Sequence, residues 1–308
     1  MLAIARQFAT RKLSTVVLIF LYHGGDPQQR RVSMTTNWDN FRKNLGEWQG
    51  SFTAVSPTGE LGASVPSILI LADTADGQRV RFELRRFGNG LDQPPTSETI
   101  QEYSTIGRQN VFFATGAFSK GSLQVAPFAE FGAEYGFVMG DRRLRFVQLF
   151  NKNQQLQSMT LIREFRAHTH AVERPPLTVE QLLGEWRGTA YTVYADWRSP
   201  TETPTQLRLW REGDRLYQLL QTPDHEVKTT ATIAGSRLLF RDTDQPKQLV
   251  LLPDGTSSLT PLQVSFRQSF FVEVGWLWAE GQRQRLIRTY GDRGEWVSAT
   301  LVVEERIN

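Results

Sequence analysis

The sequence contains two copies of one unit, and this duplication constrains the fold more than any other feature of the chain. Three short segments recur in the same order, 138 to 140 residues further along. The segments and their second copies are 45–50 and 183–188, 134–138 and 273–277, and 143–147 and 283–287. The last match continues without a gap to Glu164 and Glu304. The chain therefore consists of two tandem units of about 120 residues each.

A proline pair marks the boundary between the copies. Pro175 and Pro176 stiffen the chain and end any strand, and we expect few contacts to cross such a linker. The predicted organisation is a leader or mis-assigned start at 1–33, a first barrel at 34–167, a linker at 168–176 and a second barrel at 177–308.

The first 33 residues do not resemble the rest of the chain. A basic stretch precedes the apolar run 14–22, which is too short to span a bilayer. It resembles the hydrophobic region of a secretory signal, but translation starting at Met34 and a genuine tail are the alternatives. We therefore predict no stable membrane insertion and a cytoplasmic protein, with export or membrane association as the alternative if the segment is a targeting signal.

Each unit opens with a short helix and continues as strands. Residues 177–183 read as a helix with Thr178 as its N-cap, and 38–45 are the counterpart in the first copy. The rest alternates between apolar and polar residues in short runs, with Gly, Asp and Pro turns about every 8–12 residues. This pattern predicts an all-β protein built from antiparallel barrels or sandwiches.

Composition excludes several kinds of chemistry. The chain has no cysteine, which excludes disulfides, thiolate metal sites and a cysteine nucleophile. His168 and His170 fall on the linker without a nearby ligand partner, so we predict no metal site. No Gly-x-Ser-x-Gly or Walker-type motif occurs, and no catalytic residue is identified. The net charge of +3 is concentrated in the first 33 residues, so no nucleic-acid partner is predicted.

Two arginine pairs stand at equivalent positions of the repeat. Strand alternation places Arg143 and Arg145 on one face of a strand, and Arg283 and Arg285 on the same face of its copy. Glutamates begin the preceding strands, where a hairpin could bring each to its arginine pair; they are Glu134 and Glu273. One interpretation is a cross-strand ion pair at a barrel rim. The other is a mouth that recognises a carboxylate by bidentate arginine geometry.

Aromatic residues on the C-terminal strands complete the candidate site. They either pack in the core or form a stacking wall for a planar ligand. The predicted ligand-binding residues are Arg283, Arg285, Glu273, Trp276, Trp278 and Tyr290 in the second unit, with Arg143, Arg145 and Glu134 in the first.

A Gly-x-Trp motif opens both units, ending at Trp48 and Trp186, and Arg166 and Arg306 stand at the ends of the last strands. This combination resembles the lipocalins and the wider calycin superfamily. The resemblance implies barrels of eight to ten strands, each with its closed end plugged by the tryptophan and the arginine stacked on it. The chain is then two tandem calycin-like antiparallel barrels, each preceded by a short helix.

Segments 273–277 and 283–290 resemble an uncharacterised two-barrel calycin family of cyanobacteria, related to the S-type phycobiliprotein bilin lyases. The resemblance implies a binding protein for a small apolar or tetrapyrrole-like molecule, with a bilin as candidate cofactor and a phycobiliprotein as candidate partner. The alternatives are a bilin lyase or pigment isomerase, and a structural or protein-interaction module whose barrels are filled by side chains. Whether the protein is an enzyme stays open at this point.

Overall fold

The computed structural model describes residues 36–307 except 242, 244 and 266. The segment 1–33, predicted as a leader or mis-assigned start, lies outside the described residues. Two short helices precede the sheets, α1 (Asn37–Arg42) and α2 (Val179–Leu182). Each begins with a capping box, formed by Thr36 with Asp39 and by Thr178 with Gln181. The predicted helical openings of both units and the N-cap at Thr178 are confirmed.

The first unit is one antiparallel sheet of nine strands. The strands are β1 (Gly46–Val55), β2 (Leu61–Asp73), β3 (Val80–Arg86), β4 (Ser97–Tyr103), β5 (Val111–Phe112), β6 (Phe118–Gly121), β7 (Phe131–Met139), β8 (Arg142–Phe150) and β9 (Leu156–Arg166). The strand order is β4-β3-β2-β1-β9-β8-β7-β6-β5, so β4 and β5 are the two ends of a curled half-barrel.

The second unit is a closed barrel of ten strands. The strands are β10 (Gly184–Tyr194), β11 (Thr201–Glu212), β12 (Arg215–Gln221), β13 (Glu226–Ala234), β14 (Arg237–Phe240), β15 (Lys247–Leu252), β16 (Thr256–Pro261), β17 (Phe270–Ala279), β18 (Gln282–Tyr290) and β19 (Trp296–Ile307). Strands pair in chain order, and β19 returns to β10. The predicted fold class, two tandem antiparallel barrels each preceded by a short helix, is confirmed, and the first barrel is open between β4 and β5.

The two units share one hydrophobic core. Tyr135 and Phe137 on β7 belong to the same buried cluster as Trp276 on β17. The ring centroids of Phe137 and Trp276 are 6.0 Å apart, and those of Phe131 and Phe270 are 5.8 Å apart. The prediction that few contacts cross the linker is therefore wrong. The outward faces of these strands carry apolar side chains that must be covered, and each unit covers the other.

Polar contacts also join the units. Arg142 forms an ion pair with Asp254 and donates a hydrogen bond to the carbonyl oxygen of Trp278 at 3.0 Å. Arg288, which is completely buried, donates to the carbonyl oxygen of Gly121 in the first unit at 3.2 Å. The interface therefore pairs buried polar groups as well as apolar side chains.

Candidate functional site

The inward faces of β8 and β9 hold a buried ion cluster in the first unit. Glu164 accepts from Arg143 Nη1 at 2.6 Å and from Arg145 Nη2 at 2.6 Å. Arg143 Nε donates to Asn44 Oδ1 at 3.1 Å. The side chain of Glu164 is 1% exposed, so this carboxylate is removed from solvent and satisfied by two guanidinium groups.

Glu134 joins the same cluster from β7. Its carboxylate accepts from Arg145 Nη1 at 3.1 Å and from Lys120 Nζ at 2.7 Å. The predicted approach of Glu134 to its arginine pair therefore occurs for Arg145. Glu164, which the prediction did not include, binds both arginines.

The second unit repeats the cluster. Arg283 Nε lies 2.5 Å and Arg285 Nε 2.8 Å from Glu304 Oε1. Arg285 also approaches Glu273 at 3.3 Å. Glu304 thus takes the place of Glu164. The alignment of the two copies could have identified these glutamates, because Glu164 and Glu304 occupy the same position of the repeat.

The clusters lie inside the units and not at a rim. Arg143 is 5% exposed, Arg283 6% and Glu304 3%. The interpretation as an ion pair at a barrel rim is right about the pairing and wrong about the position. Burying charges is costly, so the arginines and glutamates must pair with one another.

Opposite charges keep the glutamates ionised despite burial. Burial would raise the pKa of Glu134, but Lys120 and Arg145 outweigh it and lower the pKa to about 2. The same balance between burial and two arginines lowers the pKa values of Glu164 and Glu304. Burial lowers the pKa of Arg143 to about 10, against the opposing effect of Glu164. Each cluster is therefore a set of fixed charges at neutral pH.

The two motif tryptophans lie beside these clusters. Trp48 is fully buried and Trp186 is 1% exposed. Arg166 Cζ lies 4.4 Å from the Trp48 ring centroid, and Arg306 Cζ lies 5.1 Å from that of Trp186. The arginine over the indole that the calycin resemblance implies is thus present in both units. Each indole Nε1 also donates at 2.9 Å to a backbone carbonyl four residues earlier.

An arginine of each cluster also lies over the same indole. Arg283 Cζ is 4.5 Å from the Trp186 centroid, and Arg143 Cζ is 5.9 Å from the Trp48 centroid. The plug and the ion cluster of each unit are therefore one connected structure.

The glycine of the Gly-x-Trp motif is required by backbone geometry. Gly46 has φ +137° and Gly184 has φ +110°, backbone conformations that residues with a Cβ atom rarely adopt. A Cβ atom on Gly46 would also collide with the guanidinium of Arg166. Glycine therefore lets the closing arginine reach the indole.

The predicted aromatic wall faces the other way. Trp276 and Tyr290 are fully buried and belong to the core shared by the units, and Trp278 packs against it. Alternation places Arg283 and Arg285 on the opposite face of the sheet, towards the barrel interior. The structure does not bring the aromatic residues and the arginine pair together in one pocket.

A cleft of about 340 Å³ lies at the plug end of the second barrel, beside Arg306 and Gly281. Charged groups of both signs line it, with Arg174 and Arg306 against Glu180 and Glu280. None of the predicted ligand-binding residues lines this cleft.

Within the described part of the chain, no helix is long and apolar enough to cross a membrane. The same residues contain no group of three or more histidine, aspartate or glutamate side chains that could hold a metal ion.

The fold and its interior define a class: proteins with two tandem β-barrel units, each of which has a Trp–Arg plug beside a buried arginine–glutamate cluster. A crystal structure of a DUF3598 protein of unknown function from Nostoc punctiforme PCC 73102 is 44% identical. The match covers 89% of this chain and all of that chain, with a TM-score of 0.84. This chain belongs to the DUF3598 family.

The two halves match two domain families. Residues 34–169 match the N-terminal DUF3598 domain of unknown function. Residues 173–307 match the C-terminal domain of biogenesis factor required for ATP synthase 1.

Other solved structures are similar only at low sequence identity. An S-type phycobiliprotein lyase from Guillardia theta is 15% identical over 42% of this chain and 90% of that chain, with a TM-score of 0.30. A putative outer membrane protein from Bacteroides fragilis is 10% identical over 87% and 99% of the two chains, with a TM-score of 0.24. Likenesses this remote show nothing about activity. A search of curated proteins gave no significant match.

Proposed function

We propose that this protein is a protein-binding factor that acts in the biogenesis of a multi-subunit complex, with the ATP synthase as the candidate client. The observation that carries the protein-binding part is that the chain's own side chains form buried clusters inside the first unit and inside the second. The candidate client comes from the match of residues 173–307 to an ATP synthase biogenesis factor.

The interior of the second barrel supports a scaffold. Around the plug, Trp186 packs in a buried cluster with leucines and Phe240. Beside the ion cluster, Phe271, Ile287 and Val302 form another buried group. A small barrel filled in this way has a packed core in the place where a ligand would sit.

The shared core supports the same proposal. The aromatic residues that a pigment would need are packed between the two units, where they join the units into one body. A rigid body of this kind presents strands, edges and loops to a protein partner, and its interior serves stability.

A small apolar or bilin ligand would have to displace these contacts. Glu304 already accepts hydrogen bonds from both Arg283 and Arg285, so an acid group would have to compete with this carboxylate for the two guanidinium groups. Breaking such a buried pair leaves an uncompensated charge, which costs several kcal/mol. The protein-interaction alternative is therefore the one that the geometry supports best, ahead of pigment binding and of a bilin lyase.

The test is binding of the full chain to ATP synthase subunits from the same organism. We expect at least one isolated subunit, or a partly assembled complex, to co-elute with the chain in size-exclusion chromatography and to crosslink to it. The finished ATP synthase is the control and should bind less, since a biogenesis factor acts before completion. Failure of every subunit and subcomplex to bind would overturn the ATP synthase proposal.

A further inference from the structure

We infer that the free edge of β4 receives an extended segment of a partner polypeptide, which adds to the half-barrel as a further strand. The inference rests on the proposed function only in taking a polypeptide as the ligand. Adding a strand to an exposed sheet edge is a general mode of peptide recognition, because the main-chain hydrogen bonds are supplied by the edge itself.

The edge is long and unpaired. Strand β4 is the last in its sheet, and residues 97–103 pair with 80–86 of β3 in an unbroken register. Among the described residues, the backbone of 97–103 makes no other backbone hydrogen bond. Roughly half of its N–H and C=O groups therefore point away from the sheet.

The opposite end of the half-barrel is already capped. Asn37 Oδ1 accepts from the backbone N–H of Phe112 at 2.7 Å, and Asn37 Nδ2 donates to Asn110 O at 2.9 Å. Asn40 Nδ2 donates to Phe112 O at 3.0 Å. The α1 side chains thus satisfy the β5 edge, so β5 is not available to close the sheet against β4.

In the second unit, the backbone groups of the equivalent strand are satisfied by a neighbouring hairpin. Phe112 and Leu251 occupy equivalent positions in the two sheets. Phe112 pairs with Phe118, which pairs with Gly136 of β7. Leu251 pairs with Ser257, which pairs with Gly275 of β17, the glycine that matches Gly136 in the repeat. The backbone N–H of Leu251 donates to the carbonyl oxygen of Ser236, in the turn between β13 and β14. An asparagine side chain in the first unit replaces this backbone carbonyl, and the hairpin strand that closes the second barrel has no counterpart there.

Strand β4 contains no proline, lysine or bulge, three common protections of an edge, and its charged side chains are the two glutamates Glu98 and Glu102. Its outward face presents Ile100, 48% exposed, between Glu98 and Glu102. On the inner face, Tyr103 packs edge-on against Phe41 and Phe82, with centroids 6.1 Å apart in both cases.

The outward face selects the occupant by charge. A second copy of β4 paired antiparallel about Ile100 would place Glu98 opposite Glu102, and like charges facing each other are destabilising. An incoming strand with basic residues on both sides of an apolar residue, in the pattern basic-x-apolar-x-basic, would face all three with complementary groups. Glu98 and Glu102 already form ion pairs with Arg85 and Arg79. These arginines are about half exposed, and such surface ion pairs are weak, so they compete only weakly with basic residues of an incoming strand.

The probe is a capped synthetic peptide, SKTITKS, compared with SETITES and with SKTPTKS, which carries proline at the centre. Amide hydrogen exchange of the full chain is followed with each peptide in excess. We expect SKTITKS to slow exchange within 97–103 by about tenfold, with no change in β2, which is paired on both sides. The other two peptides should protect far less.

A charge swap makes the test independent of peptide affinity. The double variant Glu98→Lys/Glu102→Lys should reverse the preference, so that SETITES protects 97–103 and SKTITKS does not. The matched control, Glu185→Lys/Glu226→Lys, changes two exposed strand glutamates of the second barrel and should leave the preference unchanged.

Three results would overturn the inference. They are no protection of 97–103 by SKTITKS, equal protection by all three peptides, and protection that rises with protein concentration alone, which would indicate pairing with a second copy. Subunit binding that is unaffected by the charge swap would reject the edge as the docking site and leave the proposed function standing. Protection by SKTITKS without any subunit binding would support the edge as a peptide-binding site and reject the ATP synthase proposal.

Discussion

Glu304 lies within hydrogen-bonding distance of Arg283, at 2.5 Å, inside a barrel whose wall hides both side chains from solvent. Glu164 and Arg143 repeat the relationship in the first unit at 2.6 Å. The same buried pair therefore survives in both copies of the repeat, although one copy is a closed barrel and the other is open. We infer that the pair belongs to the architecture of the unit.

Removing the acid should destabilise the second unit strongly. Glu304→Gln leaves Arg283 and Arg285 buried beside a neutral amide, and we expect a loss of about 3–5 kcal/mol in the free energy of unfolding. Urea unfolding followed by circular dichroism measures it. Glu185→Gln, at an exposed strand position, is the control and should change stability by less than about 0.5 kcal/mol. Equal effects of the two variants would contradict the structural role.

Truncating the plug should be comparably costly. Trp186→Ala removes a buried indole that packs between the barrel core and the guanidiniums of Arg283 and Arg306, and we expect a loss of about 3–5 kcal/mol. Trp186→Phe retains a ring for both arginines and should lose less. Thermal unfolding of the three proteins gives the order. A Trp186→Ala protein as stable as the parent would show that the indole is not part of the core.

Acid should weaken the first unit in a defined window. The pKa of Glu134 is about 2 in the folded protein, because Lys120 and Arg145 outweigh burial, against an ordinary value of 4.5. A lowered folded-state pKa contributes stability that is present above the ordinary value and is lost as pH falls from 4.5 towards 2. Urea titrations across this range should therefore show a smaller pH slope for Glu134→Gln than for the parent. Identical slopes would contradict the assignment.

The two units should remain together after the linker is cut. A protease site placed within 168–172 should yield two polypeptides that elute as one species, because the shared core holds Phe137 against Trp276. The isolated second unit should expose Trp276 and Tyr290 and bind a hydrophobic dye. If the cut halves instead separated into two folded monomers that bind no dye, the shared core would be contradicted and few contacts would cross the linker.

Local pattern and repetition were enough to predict much of this structure. The repeat places each tryptophan of the Gly-x-Trp motif opposite an arginine of the closing strand, and the register pairs Trp48 with Arg166 and Trp186 with Arg306. Alternation also separates Arg285 from Tyr290 on β18, so their opposite faces were readable from the sequence.

The features that the sequence does not predict depend on long-range packing. Neither alternation nor composition shows that the outer faces of β7 and β17 cover each other, because that depends on how two complete units dock. The capping of β5 by Asn37 was equally invisible, since a side chain there replaces a backbone partner from a strand that the first unit lacks. The missed Glu164 and Glu304 differ from these cases, because the aligned repeat already contained them.

We propose that the chain's own side chains fill the interiors of both units and that the function of the protein is to bind another protein. Absorption titration of the purified full chain with a bilin and with haem tests it most directly. We expect no saturable shift of the pigment band for the parent or for Arg285→Lys. A one-to-one shift in the parent that is weakened in Arg285→Lys, with stability unchanged, would contradict it and restore the arginine pair as a ligand site.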